Sequence, residues 1–131
     1  MNSFLDDRGW AYYDIFNTLK EGQINYSVLY PGVIKAWHRH KLQTDYFCVI
    51  SGNARVALHD SEKNKTETYF IGEKNPIVLK IVPGLWHGYT TLGLEPCGLL
   101  YFVDKRYDSS HPDEERASWD SFGYDWMPEN K

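Results

Sequence analysis

From residue 24 onward the chain is a succession of short runs rich in β-branched and aromatic residues, set apart by turn residues at intervals of about ten positions. INYSVLY (24–30), VIKAWH (33–38), YFCVIS (46–51), ARVALHD (54–60), TYFIG (68–72), IVLKIVP (77–83), HGYTTL (87–92) and GLLYFV (98–103) each have the composition of a strand. Turn residues punctuate them at Tyr30-Pro31-Gly32, Ser51-Gly52-Asn53, Gly72 to Asn75, Pro83-Gly84 and Leu94 to Gly98. No segment holds a helical period and no repeat is present, so the pattern predicts an all-β sandwich or jelly-roll barrel. YFCVIS and ARVALHD read as a hairpin, the latter with Ala54, Val56 and Leu58 on one face and Arg55, Ala57 and His59 on the other. DSEKNKTE (60–67) reads as a solvated loop. One domain spanning 1–131 is expected: an N-terminal arm (1–23), a barrel core (24–107) and a tail (108–131). The tail reads as irregular or as one short helical turn, pinned by Trp119, Tyr124 and Trp126.

Length and charge narrow the function. A chain of 131 residues suits one domain able to bury a core without disulfides. Cys48 and Cys97, in strand-like apolar surroundings, read as buried reduced thiols. The net charge is −4 and the 14 Lys and Arg are scattered, which gives nucleic-acid binding no electrostatic stripe. The opening MNSFLDDRGW has no basic-then-apolar leader, and no stretch approaches the roughly 20 apolar residues of a membrane span, so a cytoplasmic protein is expected.

The chemistry gathers between Gly32 and Gly52. His38 and His40, one residue apart on a strand, point the same way, and Asp45 opens the next strand. His87 joins them if a third strand folds back alongside. By the same parity Ile34, Ala36 and His38 share a face, which leaves Lys35 at the rim unless a bulge intervenes. Leu99, Tyr101 and Val103 point inward together. Trp37 and Trp86 each precede a site histidine and so face away from it, towards packing or a subunit interface. His59 and His111, without such company, read as exposed or loop histidines.

Two chemistries fit this group. In the first, His38, His40, Asp45 and His87 ligate a divalent first-row metal such as Mn, Fe, Co, Ni or Zn. In the second, no metal is needed: a histidine removes a proton next to a ketone, a carboxylate holds its tautomer, and a donor steadies the enolate oxygen. They compete for His38, because a lone pair given to a metal cannot collect a proton.

The spacing G-x5-H-x-H-x4-D-x6-G, from Gly32 to Gly52, resembles the first motif of the cupin superfamily, with Asp in place of the common Glu. PGLWH (83–87) resembles the core of the second. Within cupins the chain is most similar to the dTDP-4-dehydrorhamnose 3,5-epimerase (RmlC-like) family, through Asp7-Arg8-Gly9, GVIKAWHRH, WHGYTTL, LLYFVDKRYD and Trp119-Asp120. The resemblance implies a cupin jelly roll (a double-stranded β-helix), a homodimer, a tail returning to the barrel mouth, and a nucleotide-sugar substrate of the dTDP-4-keto-6-deoxy type, epimerised without a cofactor. It implies His38 as base, Asp120 as the carboxylate orienting it and Tyr101 as the acid on the opposite face. Arg8, Lys35, His40, His87 and Tyr107 are implied as substrate contacts. Where the family carries the lysine that steadies the enolate, this chain has Asp45. A metal-dependent small-molecule cupin and a non-catalytic sugar- or metabolite-binding cupin remain the rival readings.

Overall fold

The computed structural model describes residues 2–13, 15–16 and 21–129, with residues 2–4 and 9–13 described in backbone only. The first strands, β1 (Asn2–Asp6) and β2 (Gly9–Tyr13), form a hairpin of their own, turning at Asp7-Arg8. The strands that follow are β3 (Gln23–Leu29), β4 (Ile34–Arg39), β5 (Asp45–Ser51), β6 (Asn53–Asp60), β7 (Lys65–Gly72), β8 (Leu79–Ile81), β9 (Trp86–Thr91), β10 (Cys97–Val103) and the short β11 (Glu115–Arg116). They build two antiparallel sheets, ordered β3-β10-β5-β8 and β11-β4-β9-β6-β7. Among the described residues no helix is long and apolar enough to cross a membrane.

The sheets face one another across a core of alternate strand residues. Phe47, Val49, Ile81 and Leu99 come from the first sheet; Val56, Leu58, Ile71 and Tyr89 come from the second. This alternation is what two stacked pleated sheets demand of their inner faces. Cys48 and Cys97 are buried and free.

A second cluster lies on the outer face of the five-stranded sheet, where Trp37, Ala57 and Trp86 are covered by Trp126, Phe122 and Tyr124 of the tail. Trp37 and Ala117 exchange both backbone hydrogen bonds (2.9 and 3.0 Å), and the indoles of Trp37 and Trp126 both donate to the Trp119 carbonyl at 3.2 Å. Trp119 thus pins the tail through its backbone, while its ring stays half exposed. A single 3-10 turn, Ser121–Gly123, interrupts the tail.

Three expectations are corrected here. The polar run 60–67 is no loop: β6 and β7 extend through it and leave only a turn at 61–64. His59 is buried, its ring stacked on Phe122 (centroids 4.2 Å apart) and its Nδ1 bonded to Thr66 Oγ1 at 2.8 Å. The face carrying Arg55, Ala57 and His59 is covered by the tail, so both faces of β6 are buried. Finally, the ladder between β4 and β9 shifts register between Lys35 and His38. Ile34, Ala36 and Trp37 consequently pack in the outer cluster, while Lys35 and His38 both line the interior cavity.

Candidate active site

A cavity of about 660 Å³ opens between the sheets at one end of the barrel. β4 brings Lys35 and His38 to it, with His40 just beyond the strand end; β5 brings Asp45 and Phe47; β9 brings His87 and Tyr89; β10 brings Tyr101. His38 and His87 are direct partners across the β4–β9 ladder. That ladder is tight because Gly88 follows His87: a Cβ there would lie 2.3 Å from the Cβ of Ala36. The glycine lets two histidine-bearing strands approach closely, a use that needs the missing side chain.

His40, Asp45 and His87 converge. Their ligand-type atoms all lie within 4.8 Å of one another, and Oδ2 of Asp45 stands 3.5 Å from His40 Nε2 and 3.6 Å from His87 Nε2. The opposite ring nitrogens donate to backbone carbonyls, His40 Nδ1 to Asp113 at 2.6 Å and His87 Nδ1 to Leu85 at 3.3 Å. Gln43 donates to Oδ1 of Asp45 at 2.6 Å, which leaves Oδ2 facing the two imidazoles. Ligands at about 2.1 Å around one tetrahedral ion stand about 3.4 Å apart, and histidine ligands ordinarily give their other N–H to a carbonyl or carboxylate. The arrangement therefore fits a divalent metal held by His40, Asp45 and His87. His38 is not part of this cluster. Its Nδ1 is bonded to Glu114 Oε1 at 2.7 Å, an anchor on the same ring nitrogen as those of His40 and His87.

Burial sets the charges. It lowers the pKa of His38 in spite of the Glu114 carboxylate, and lowers that of His87 to about 4 in spite of Asp45. It would lower His40 too, but the bonds with Asp45 and the Asp113 carbonyl outweigh it and leave that ring raised. Burial, aided by the Asp45 charge, raises the Tyr101 phenol and keeps its proton in place. Glu114 is lowered, because the hydrogen bonds from Arg116 and His38 prevail over burial.

The remaining residues named from the sequence fall as follows. Lys35 and Tyr107 line the cavity. Arg8 sits exposed at the β1–β2 turn, paired with Asp6, and is not among the lining residues. Asp120 is exposed, accepts a hydrogen bond from Ser118 at 2.5 Å, and does not meet His38. The carboxylate that does meet it, Glu114, was missed by sequence reasoning, as was Asp113. Their signal was the charged run Asp113-Glu114-Glu115-Arg116, easily passed over as a solvated stretch.

Two facing antiparallel sheets around a histidine-lined cavity define an RmlC-like cupin. Residues 4–115 match the family described as the polysaccharide biosynthesis C-terminal domain, and the chain belongs to that family. It is 40% identical to the spore coat polysaccharide biosynthesis protein SpsL of Bacillus subtilis, over 95% of this chain and 89% of that one. To the probable low-salt glycan biosynthesis epimerase Agl13 of Haloferax volcanii it is 38% identical, over 79% and 72% respectively. Among solved structures, a dTDP sugar isomerase from Desulfovibrio desulfuricans G20 superposes with a TM-score of 0.83 at 25% identity, over 95% of this chain and 86% of that one.

Proposed function

We propose that this chain is a nucleotide-sugar epimerase or isomerase of polysaccharide biosynthesis, acting on a 4-keto-6-deoxy sugar carried by dTDP or a similar nucleoside diphosphate. The observation that carries this reading is the placement of His38 and Tyr101 on opposite sheets, β4 and β10, both lining one cavity. A base on one wall and a protonated phenol on the other are what inversion of a carbon next to a ketone requires.

His38 Nε2 takes the proton from the carbon beside the ketone, and the C–H electron pair moves to the ketone oxygen as an enolate. The Tyr101 hydroxyl then returns a proton to the other face of that carbon. Lys35, Lys105 and Arg106 line the cavity and form no ion pair among the described residues, so they are free to meet the diphosphate. The names borne by the relatives, an epimerase and a dTDP sugar isomerase, support the same substrate class. A homodimer belongs to this reading. β3 is an edge strand with no outer neighbour among the described residues, and Ile24, Tyr26, Val28 and Tyr30 expose apolar surface along it.

The test is deuterium wash-in. Incubating the protein with dTDP-4-keto-6-deoxy sugars in deuterium oxide is expected to label C3, C5 or both, as read by NMR. A panel of nucleotides and sugar configurations that all stay unlabelled would remove the reading and leave a binding cupin.

The second reading, a metal-dependent site, is favoured by the His40, Asp45 and His87 cluster. These side chains would hold Mn, Fe, Co, Ni or Zn, and the ion would supply the positive charge that the family's lysine contributes elsewhere. Elemental analysis of protein purified without added metal is expected to find about one such ion per chain, and Asp45→Asn is expected to weaken retention at least about tenfold. Metal-free protein with full exchange activity would exclude a metal from the reaction.

A further inference from the structure

The tail and β4 meet residue against residue. Approaching β11, Asp113 accepts His40 Nδ1 on its carbonyl, and its carboxylate accepts the amides of Lys41, Leu42 and Gln43 at 2.8, 2.9 and 3.0 Å. Glu114 accepts His38 Nδ1, and Glu115 accepts from Arg39 at 2.6 Å. Faces alternate along this contact: His38 and Glu114 line the cavity, whereas Arg39 lies over the Trp86 ring of the outer cluster, 4.4 Å from its centroid.

We propose that Glu114 is the positioning residue for His38, a role that rests on the reading of His38 as the base. An ionised carboxylate can only accept, so the bond at 2.7 Å places the neutral imidazole's hydrogen on Nδ1 and leaves the lone pair on Nε2. The second oxygen of Glu114 is held by Arg116 at 3.2 Å, which stops the carboxylate from turning away. Because Glu114 and Asp113 are adjacent, one short piece of chain holds both imidazoles of the H-x-H pair by Nδ1. The two rings then differ in what faces Nε2: Asp45 for His40 and, among the described residues, no carboxylate for His38.

Glu114→Gln makes a sharp test. Arg116 will claim the amide oxygen, so the new NH2 faces His38 Nδ1 and donates to it. That traps the hydrogen on Nε2, the wrong tautomer for a base. Long-range proton–nitrogen NMR of the neutral imidazole is expected to show Nδ1–H in the wild type and Nε2–H in Glu114→Gln. The turnover number kcat is expected to fall about 100-fold while KM changes less than about threefold. Glu114→Asp is expected to recover part of the rate, and Glu115→Gln, on the outer side, to leave it unchanged. Nε2–H in the wild type, or Glu114→Gln with an unaltered tautomer whatever its rate, overturns the proposal. The base reading fails separately: if His38→Ala keeps its exchange, His38 is not the base, although the tautomer spectra still report what Glu114 does to the ring.

Discussion

His38→Ala is expected to lose about 10² to 10⁴-fold in exchange rate, the range that a positioned general base contributes, while binding nucleotide within about threefold of the wild type. The split follows from the geometry. His38 lines the cavity from β4, whereas the cations proposed for the diphosphate, Lys35, Lys105 and Arg106, are separate side chains. Titrating both proteins with dTDP, alongside deuterium wash-in, measures the two quantities independently. Equal losses in both would mean that the substitution collapsed the cavity. Retained exchange would pass the base role to another lining group, and Tyr101 is next in line.

The largest stability effect is expected at Trp37. Its side chain is fully buried, ringed by Phe122, Tyr124 and Trp126 with centroids 5.4, 5.8 and 5.2 Å away, and its indole N–H is satisfied by the Trp119 carbonyl. Trp37→Ala removes the centre of this cluster and should cost about 3 to 5 kcal/mol, a large part of the stability of an ordinary domain. Urea unfolding followed by tryptophan fluorescence and circular dichroism measures it. A loss under about 1 kcal/mol would show that the tail contributes little to the packing of this sheet. Because Ala117 is hydrogen-bonded to Trp37 and Glu114 lies only three residues before it, loosening the outer cluster is also expected to disturb the cavity side.

Much of the fold was legible because strand alternation and turn residues are local signals. The runs containing Phe47, Val49, Leu99 and Tyr101 carry their burial in their own spacing. The meeting of His40, Asp45 and His87 was legible for a related reason, since few arrangements of short strands leave such residues apart. Apart from the run 60–67, where a local hairpin continues through polar residues, the failures depend on contacts distant in sequence. His59 and Arg55 occupy what reads as the solvent face of a hairpin, and only a tail some sixty residues later turns that face into an interior. Lys35 reaches the cavity because the register slips before His38; Gly88, on the neighbouring strand, was the sole hint of so close an approach. Glu114 sits in a charged run whose acidic residues look interchangeable until β11 pairs with β4 and gives each one a different partner. Asp120 drew attention through a resemblance to its neighbours, yet the chain had already placed a carboxylate against His38 six residues earlier.

Asp45 is almost wholly enclosed, while Lys35, Lys105 and Arg106 stand exposed where the cavity meets water. That separation of opposite charges gives the chamber a direction. An elongated ligand with one anionic end settles with that end outward and its neutral end inward, since the reverse pose would press phosphate against carboxylate. For the nucleotide sugar proposed above, reach would then be a ruler: how far the sugar carbon stands from the phosphates would decide which C–H bond comes to rest beside His38.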